Sequence, residues 1–151
     1  MRTKEAVLNE LQRWGNIYKR KLEAEENLLQ IAKQCTEIRR KSVESFKGWV
    51  DGTISVPEKS DREETLAQID ELARRVTDLR YKLVELYNYL ADWEAMLSSL
   101  PSKHQLLLEL MYRDCNSFEQ VCTKMDISKV QALKIQRQSI NLLRSIESNS
   151  I

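Results

Sequence analysis

The chain has 151 residues, 42% of them apolar and 31% charged, with only 3 Gly and 2 Pro and a formal charge of +1; this profile fits a helix-dominated protein with a charged exposed surface. No stretch approaches the ~20 apolar residues that span a bilayer, and Met1-Arg2-Thr3-Lys4-Glu5 is followed by no signal-peptide core, so a cytoplasmic protein without a membrane role is expected. Cys35, Cys115 and Cys122 are odd in number and widely spaced, and the single His104 has no Cys or His at ligand spacing. Reduced, packing-type thiols are expected, a surface or helix-start role for His104, and neither a metal nor another cofactor.

Charge is uneven along the chain. Residues 1–60 carry +3 (12 Lys/Arg against 9 Asp/Glu), 61–99 carry −4 (5 against 9) and 100–151 carry +2 (7 against 5). A domain that held DNA by electrostatics alone would be far more basic, because each phosphate contact draws on a Lys or Arg.

From Thr3 to Lys47, Val7, Leu11, Trp14, Tyr18, Leu22, Leu29, Ala32 and Cys35 recur at helical spacing and predict one long helix or a broken helical pair. Gly15 falls inside that pattern, where it marks a bend or a close helix approach. Residues 48–60 collect two Gly, a Pro and β-branched residues, the composition of a loop. Ser60-Asp61-Arg62-Glu63 then fits a capping box.

The most regular pattern follows. Ile69, Leu72, Val76, Leu79, Leu83, Leu86, Leu90, Trp93, Leu97 and Leu100 alternate steps of three and four, a heptad seam that keeps one stripe facing a partner along a helix of roughly 55 Å. Such a stripe is not stable in water, so it pairs with the first helix, with a second copy, or with both; an antiparallel hairpin is favoured by the short connection. A homodimer is also expected, with the seam either closed within one chain or serving as the dimer interface. Leu100-Pro101-Ser102 ends the helix and starts another, carrying Leu106, Leu107, Leu110 and Met111 to about Tyr112 and stopping at Arg113-Asp114-Cys115-Asn116.

Ser117 to Leu143 match the spacing of a helix-turn-helix, in which two short helices cross steeply over a tight turn. Val121, Met125, Ile127, Ala132 and Ile135 occupy the apolar positions that seal the crossing, and Cys122 supplies the small residue at closest approach. Ser117 and Ser128 stand where N-caps are needed. Asp126 holds the turn position usually given to Gly. The second helix continues through Ile140, Leu142, Leu143 and Ile146, with residues 148–151 fraying. The fold class is therefore all-α, with a long helical hairpin or coiled-coil arm over residues 1–99 and a helix-turn-helix domain over 100–151.

Leu100 to Cys122 (L-P-S-K-H-Q-L-L-L-E-L-M-Y-R-D-C-N-S-F-E-Q-V-C), followed by the D-I-S turn, resembles the fourth conserved region of bacterial sigma factors. With a heptad-rich arm ahead of it, the stretch from about Glu63 to Ile146 is similar to the small sigma-like regulators of phages and prophages, the ArpU-type and RinA-type late-transcription activators. That resemblance implies a DNA-binding transcription regulator that contacts RNA polymerase. On this reading Ser128, Lys129, Gln131 and Lys134 face the major groove, Arg137 and Lys124 hold phosphates, Gln138 is a further DNA-binding residue, and the seam residues Leu72, Val76, Leu79, Leu83, Leu86, Leu90 and Trp93 set dimer geometry. Val130 and Leu133 lie where base-contacting side chains are expected; they can meet a thymine methyl or pack against protein.

The competing reading is a helical module that binds a host protein such as polymerase or a nuclease without reading DNA sequence, with Val130, Leu133 and the heptad face as contacts. No enzyme is expected, since three Gly leave no phosphate-cradling loop and one His offers no triad. Glu63, Glu64, Asp70, Glu71, Asp78 and Glu85 read as a solvated helix face. Tyr81, Tyr87 and Tyr89 read as rim packing and the Arg39-Arg40-Lys41 run as solvated surface.

Overall fold

The computed structural model describes residues 1–53 and 59–146 and, for Lys59 and Ser60, the helical backbone alone. Among the described residues every regular element is helical. Helix α1 spans Lys4–Val50, α2 Lys59–Leu97, α3 Ser102–Leu108, a π-helical turn Glu109–Arg113, α4 Phe118–Met125 and α5 Lys129–Ser145. No helix is long and apolar enough to cross a membrane.

Packing divides the chain into two units, Met1–Lys21 with Glu85–Ile151, and Leu22–Val84. The expected boundary at 99/100 is therefore displaced. The first turns of α1 and the last turns of α2 join the C-terminal helices because their apolar faces, Val7, Leu11, Trp14 and Ile17 on one and Leu90, Trp93, Met96 and Leu97 on the other, build the same core as Leu107, Leu108, Val121, Ala132, Ile140 and Leu143.

That core is centred on two tryptophans. Trp14 and Trp93 stack with ring centroids 5.8 Å apart and planes 17° from parallel, an offset aromatic contact that adds to area burial. The Trp93 indole N–H donates to the Tyr89 hydroxyl at 2.8 Å, and the Arg13 guanidinium lies 5.1 Å above the Tyr89 ring. Gly15 resolves as a close approach. A Cβ placed there would sit 2.1 Å from the Tyr112 carbonyl oxygen, so the π-helical turn rests directly on the α1 backbone.

The chain start is tied to the chain end. Arg2 ion-pairs with Glu10 and donates to the Leu143 carbonyl at 2.8 Å, while the Arg2 amide donates to the Arg144 carbonyl at 3.2 Å and Arg144 Nε returns a bond to the Arg2 carbonyl at 3.0 Å. A cation on the last carbonyls of α5 also complements the helix dipole.

The second unit consists of the remainders of α1 and α2, antiparallel as expected: Ile38 shares one groove with Gln68 and Leu72, and Phe46 and Trp49 share another with Thr65, Leu66 and Ile69. The α1 register differs from expectation here. Leu22, Leu29, Ala32 and Cys35 are exposed, whereas Ala24 and Ile31 are buried and Ile38 half-buried. Two apolar stripes with a seven-residue step compete on this helix, and Ile17-Ala24-Ile31-Ile38 wins because it runs over more turns than Leu22-Leu29. On α2 the seam holds. Leu72, Leu83, Leu90 and Trp93 are buried and Val76, Leu79 and Leu86 half-buried within one chain; Ile69 is 44% exposed.

Other boundaries shift as well. α1 runs on through Gly48 to Val50, and Ser60 lies inside α2 rather than ahead of it; the rest of the expected loop, 54–58, and the frayed end, 148–151, lie outside the described residues. Of the thiols expected to pack, Cys122 joins the core while Cys35 and Cys115 are exposed. Leu106 and Leu142 point outward, 43% and 40% exposed. Arg40 bridges Glu37 and Glu44 at 2.6 Å each, and its hydrogen bond holds the Glu37 carboxyl below the usual carboxylate range.

Candidate nucleic-acid interface

Two tightly specified helix ends position α4 and α5. At α4 the Gln120 amide donates to Ser117 Oγ at 3.2 Å while the Ser117 amide donates to Gln120 Oε1 at 2.8 Å. The same reciprocal box opens α5, with the Gln131 amide on Ser128 Oγ at 3.2 Å and the Ser128 amide on Gln131 Oε1 at 3.0 Å. Each box satisfies donors that a helix start leaves orphaned.

Between them Asp126 adopts φ 55° and ψ 50°. The Ile127 amide reaches the Cys122 carbonyl at 3.1 Å and the Asp126 amide the Thr123 carbonyl at 3.3 Å, the paired bonds of a Schellman turn with Asp in the place favoured by Gly. The crossing is sealed as the spacing requires. Val121 and Ala132 are fully buried, and Met125, Ile127, Ile135 and Cys122 pack half-buried against them.

α3 and the π-helical turn brace α5 from behind. The Tyr112 hydroxyl is hydrogen-bonded to Gln136, yet burial dominates and pushes its pKa up. His104 meets the Gln138 amide oxygen at 3.2 Å. The Ser139 hydroxyl, fully buried, donates to the Ile135 carbonyl at 2.7 Å.

The outward face of α5 is the result. Val130, Lys134, Arg137 and Asn141 follow one another at steps of four and three, all exposed, flanked by Leu133 and Gln138. α5 carries Lys129, Lys134, Arg137 and Arg144 and no acidic residue.

All seven residues expected to touch DNA are exposed, but several are already committed. Ser128 and the Gln131 carbonyl oxygen cap the helix; Lys129 lies 3.6 Å from Glu119; Lys124 donates to Asn116 Oδ1 at 2.9 Å; Gln138 is shared with His104. Lys134 and Arg137 retain no acidic partner among the described residues. Asn141 was not singled out by sequence reasoning, although a step of four from Arg137 places it on the same stripe.

A second element borders this face. Lys4 and Leu8 of α1 and Leu133, Gln136, Arg137, Ile140 and Asn141 of α5 line one groove of about 400 Å³. No sequence signal joins positions about 130 residues apart. Among the described residues no three His, Cys, Asp or Glu side chains converge as a metal site. Comparison with known proteins returns no match to a family model, a curated protein or a solved structure.

Proposed function

We propose that this protein is a phage-type transcription regulator that binds duplex DNA by laying the N-terminal half of α5 in the major groove, with α4 across the backbone and RNA polymerase as a further contact. The observation that carries the reading is the acid-free, exposed outward face of α5 on a capped helix pair joined through the left-handed turn at Asp126. Lys134 and Arg137 supply charge for phosphates, the amide NH2 of Gln131 supplies a polar group suited to a base edge, and Val130 offers an apolar contact for a thymine methyl.

Fluorescence anisotropy with a labelled duplex tests it. Binding must weaken linearly on a log–log plot against salt, with a slope of about −0.9 per phosphate contact, and Lys134→Ala must flatten that slope.

One observation favours a second reading, a protein-binding module. Val130 is 77% exposed and Leu133 50% exposed, more apolar surface than base contacts alone require. Retention of a host protein through α5, abolished by Val130→Asp and insensitive to salt, with no duplex binding, would establish that reading instead.

A further inference from the structure

We infer that the groove between the first turn of α1 and α5 is a phosphate-binding edge of the DNA surface, with Lys4 and Arg137 gripping the same backbone strand from two helices. This rests on the DNA-binding reading of α5 and extends it to a part of the chain that lies outside the helix-turn-helix.

Three observations carry it. The groove lining contains two cations, Lys4 and Arg137, two amides, Gln136 and Asn141, three aliphatic residues and no carboxylate. Neither cation has an acidic partner among the described residues, in contrast to Arg2, Arg40, Arg74 and Arg113, which are ion-paired to Glu or Asp. The α1 end of the groove is also fixed in place: Thr3 Oγ1 accepts the Ala6 amide at 3.1 Å, and Arg2 is bonded to both Leu143 and Arg144 of α5.

Geometry makes the chemistry coherent. Arg137 and Asn141 sit two to three turns beyond the start of α5. With the start of a recognition helix inserted in the major groove, its later turns leave toward the groove wall, where phosphates run. A guanidinium presents a planar fork to a phosphate and an ammonium presents a point charge, so the pair suits one backbone segment rather than a base. The contact is independent of base sequence.

The test uses the full chain and a fluorescein-labelled duplex of mixed sequence. Lys4→Ala and Arg137→Ala are each expected to lower affinity by about 3- to 10-fold at low salt and to reduce the magnitude of the log–log salt slope by about 0.9, equally for duplexes of different sequence. Lys19→Ala, an exposed cation of α1 that does not line the groove, is expected to leave the slope unchanged. Circular dichroism establishes that Lys4→Ala is folded. A Lys4→Ala slope equal to wild type, while Lys134→Ala still flattens it, overturns the inference and leaves α5 as the DNA surface. A wild-type chain whose duplex binding is absent or salt-independent overturns both.

Discussion

Gly15→Ala is the sharpest probe of how the π-helical turn seats on α1. In an open helix the added methyl stabilises by about 1 kcal/mol, because Gly leaves the backbone more freedom to lose. Here the new Cβ would lie 2.1 Å from the Tyr112 oxygen and 3.1 Å from its carbon, whereas ordinary contact begins at 3.4 Å. The two backbones must part by about 1.3 Å on that vector, and neither is the end of a flexible side chain. Overpacking of this kind costs typically 1–3 kcal/mol and sometimes more. With backbone on both sides the cost lies at the upper end, so a net loss of about 2 kcal/mol is expected, equivalent to a fall of roughly 4–8 °C in Tm for a chain of this size. Urea unfolding followed by circular dichroism measures it, with Asn16→Ala on the exposed side of the same turn as a control expected within about 0.5 kcal/mol of wild type. A Gly15→Ala protein as stable as wild type, or more stable, would refute the contact.

Asp126→Gly should stabilise the protein by about 0.5–1 kcal/mol, since φ 55° strains a residue with a Cβ; a loss of stability in thermal melts would mean the turn differs. The α1 register is checked by a pair of alanine variants. Ile31→Ala is expected to cost about 2–5 kcal/mol and Leu29→Ala much less, and the reverse order in denaturant titrations would put the other stripe inside. Burial raises the pKa of Tyr89 and Tyr112. The unfolded chain therefore ionises first, and this contribution to stability is complete below about pH 10 and lost as pH rises through the folded values. Ultraviolet difference spectra should show phenol absorbance that titrates late, and Phe replacement of Tyr89 or of Tyr112 should reduce it.

The helix-turn-helix was legible because its signals are local. Ser117, Ser128 and Asp126 act on backbone groups two to four residues away, so their roles are written within one turn of chain. The α2 seam was legible for the same reason, as one stripe continued without a rival. Leu22 and Leu29 misled because two stripes on α1 share one period, and only the partner helix selects between them. The π-helical turn, the Lys4–Arg137 groove and the joining of Met1–Lys21 to the C-terminal helices arise from contacts over more than 90 residues. No spacing rule reports those. Gln131 was read as a base reader without notice of its capping bond, although Ser128 followed by Gln at the third helical position is the sequence mark of that box.

The Arg2–Leu143 bond closes a loop of 141 residues, an extreme separation for a helical protein, whose contacts are normally local. On a ribosome adding about 5–20 residues per second, the amino-terminal segment waits roughly 7–28 s for its seat to be synthesised. Throughout that interval Val7, Leu11 and Trp14 are without the core that shelters them, which makes the newborn polypeptide, rather than the finished one, the species most in need of a chaperone.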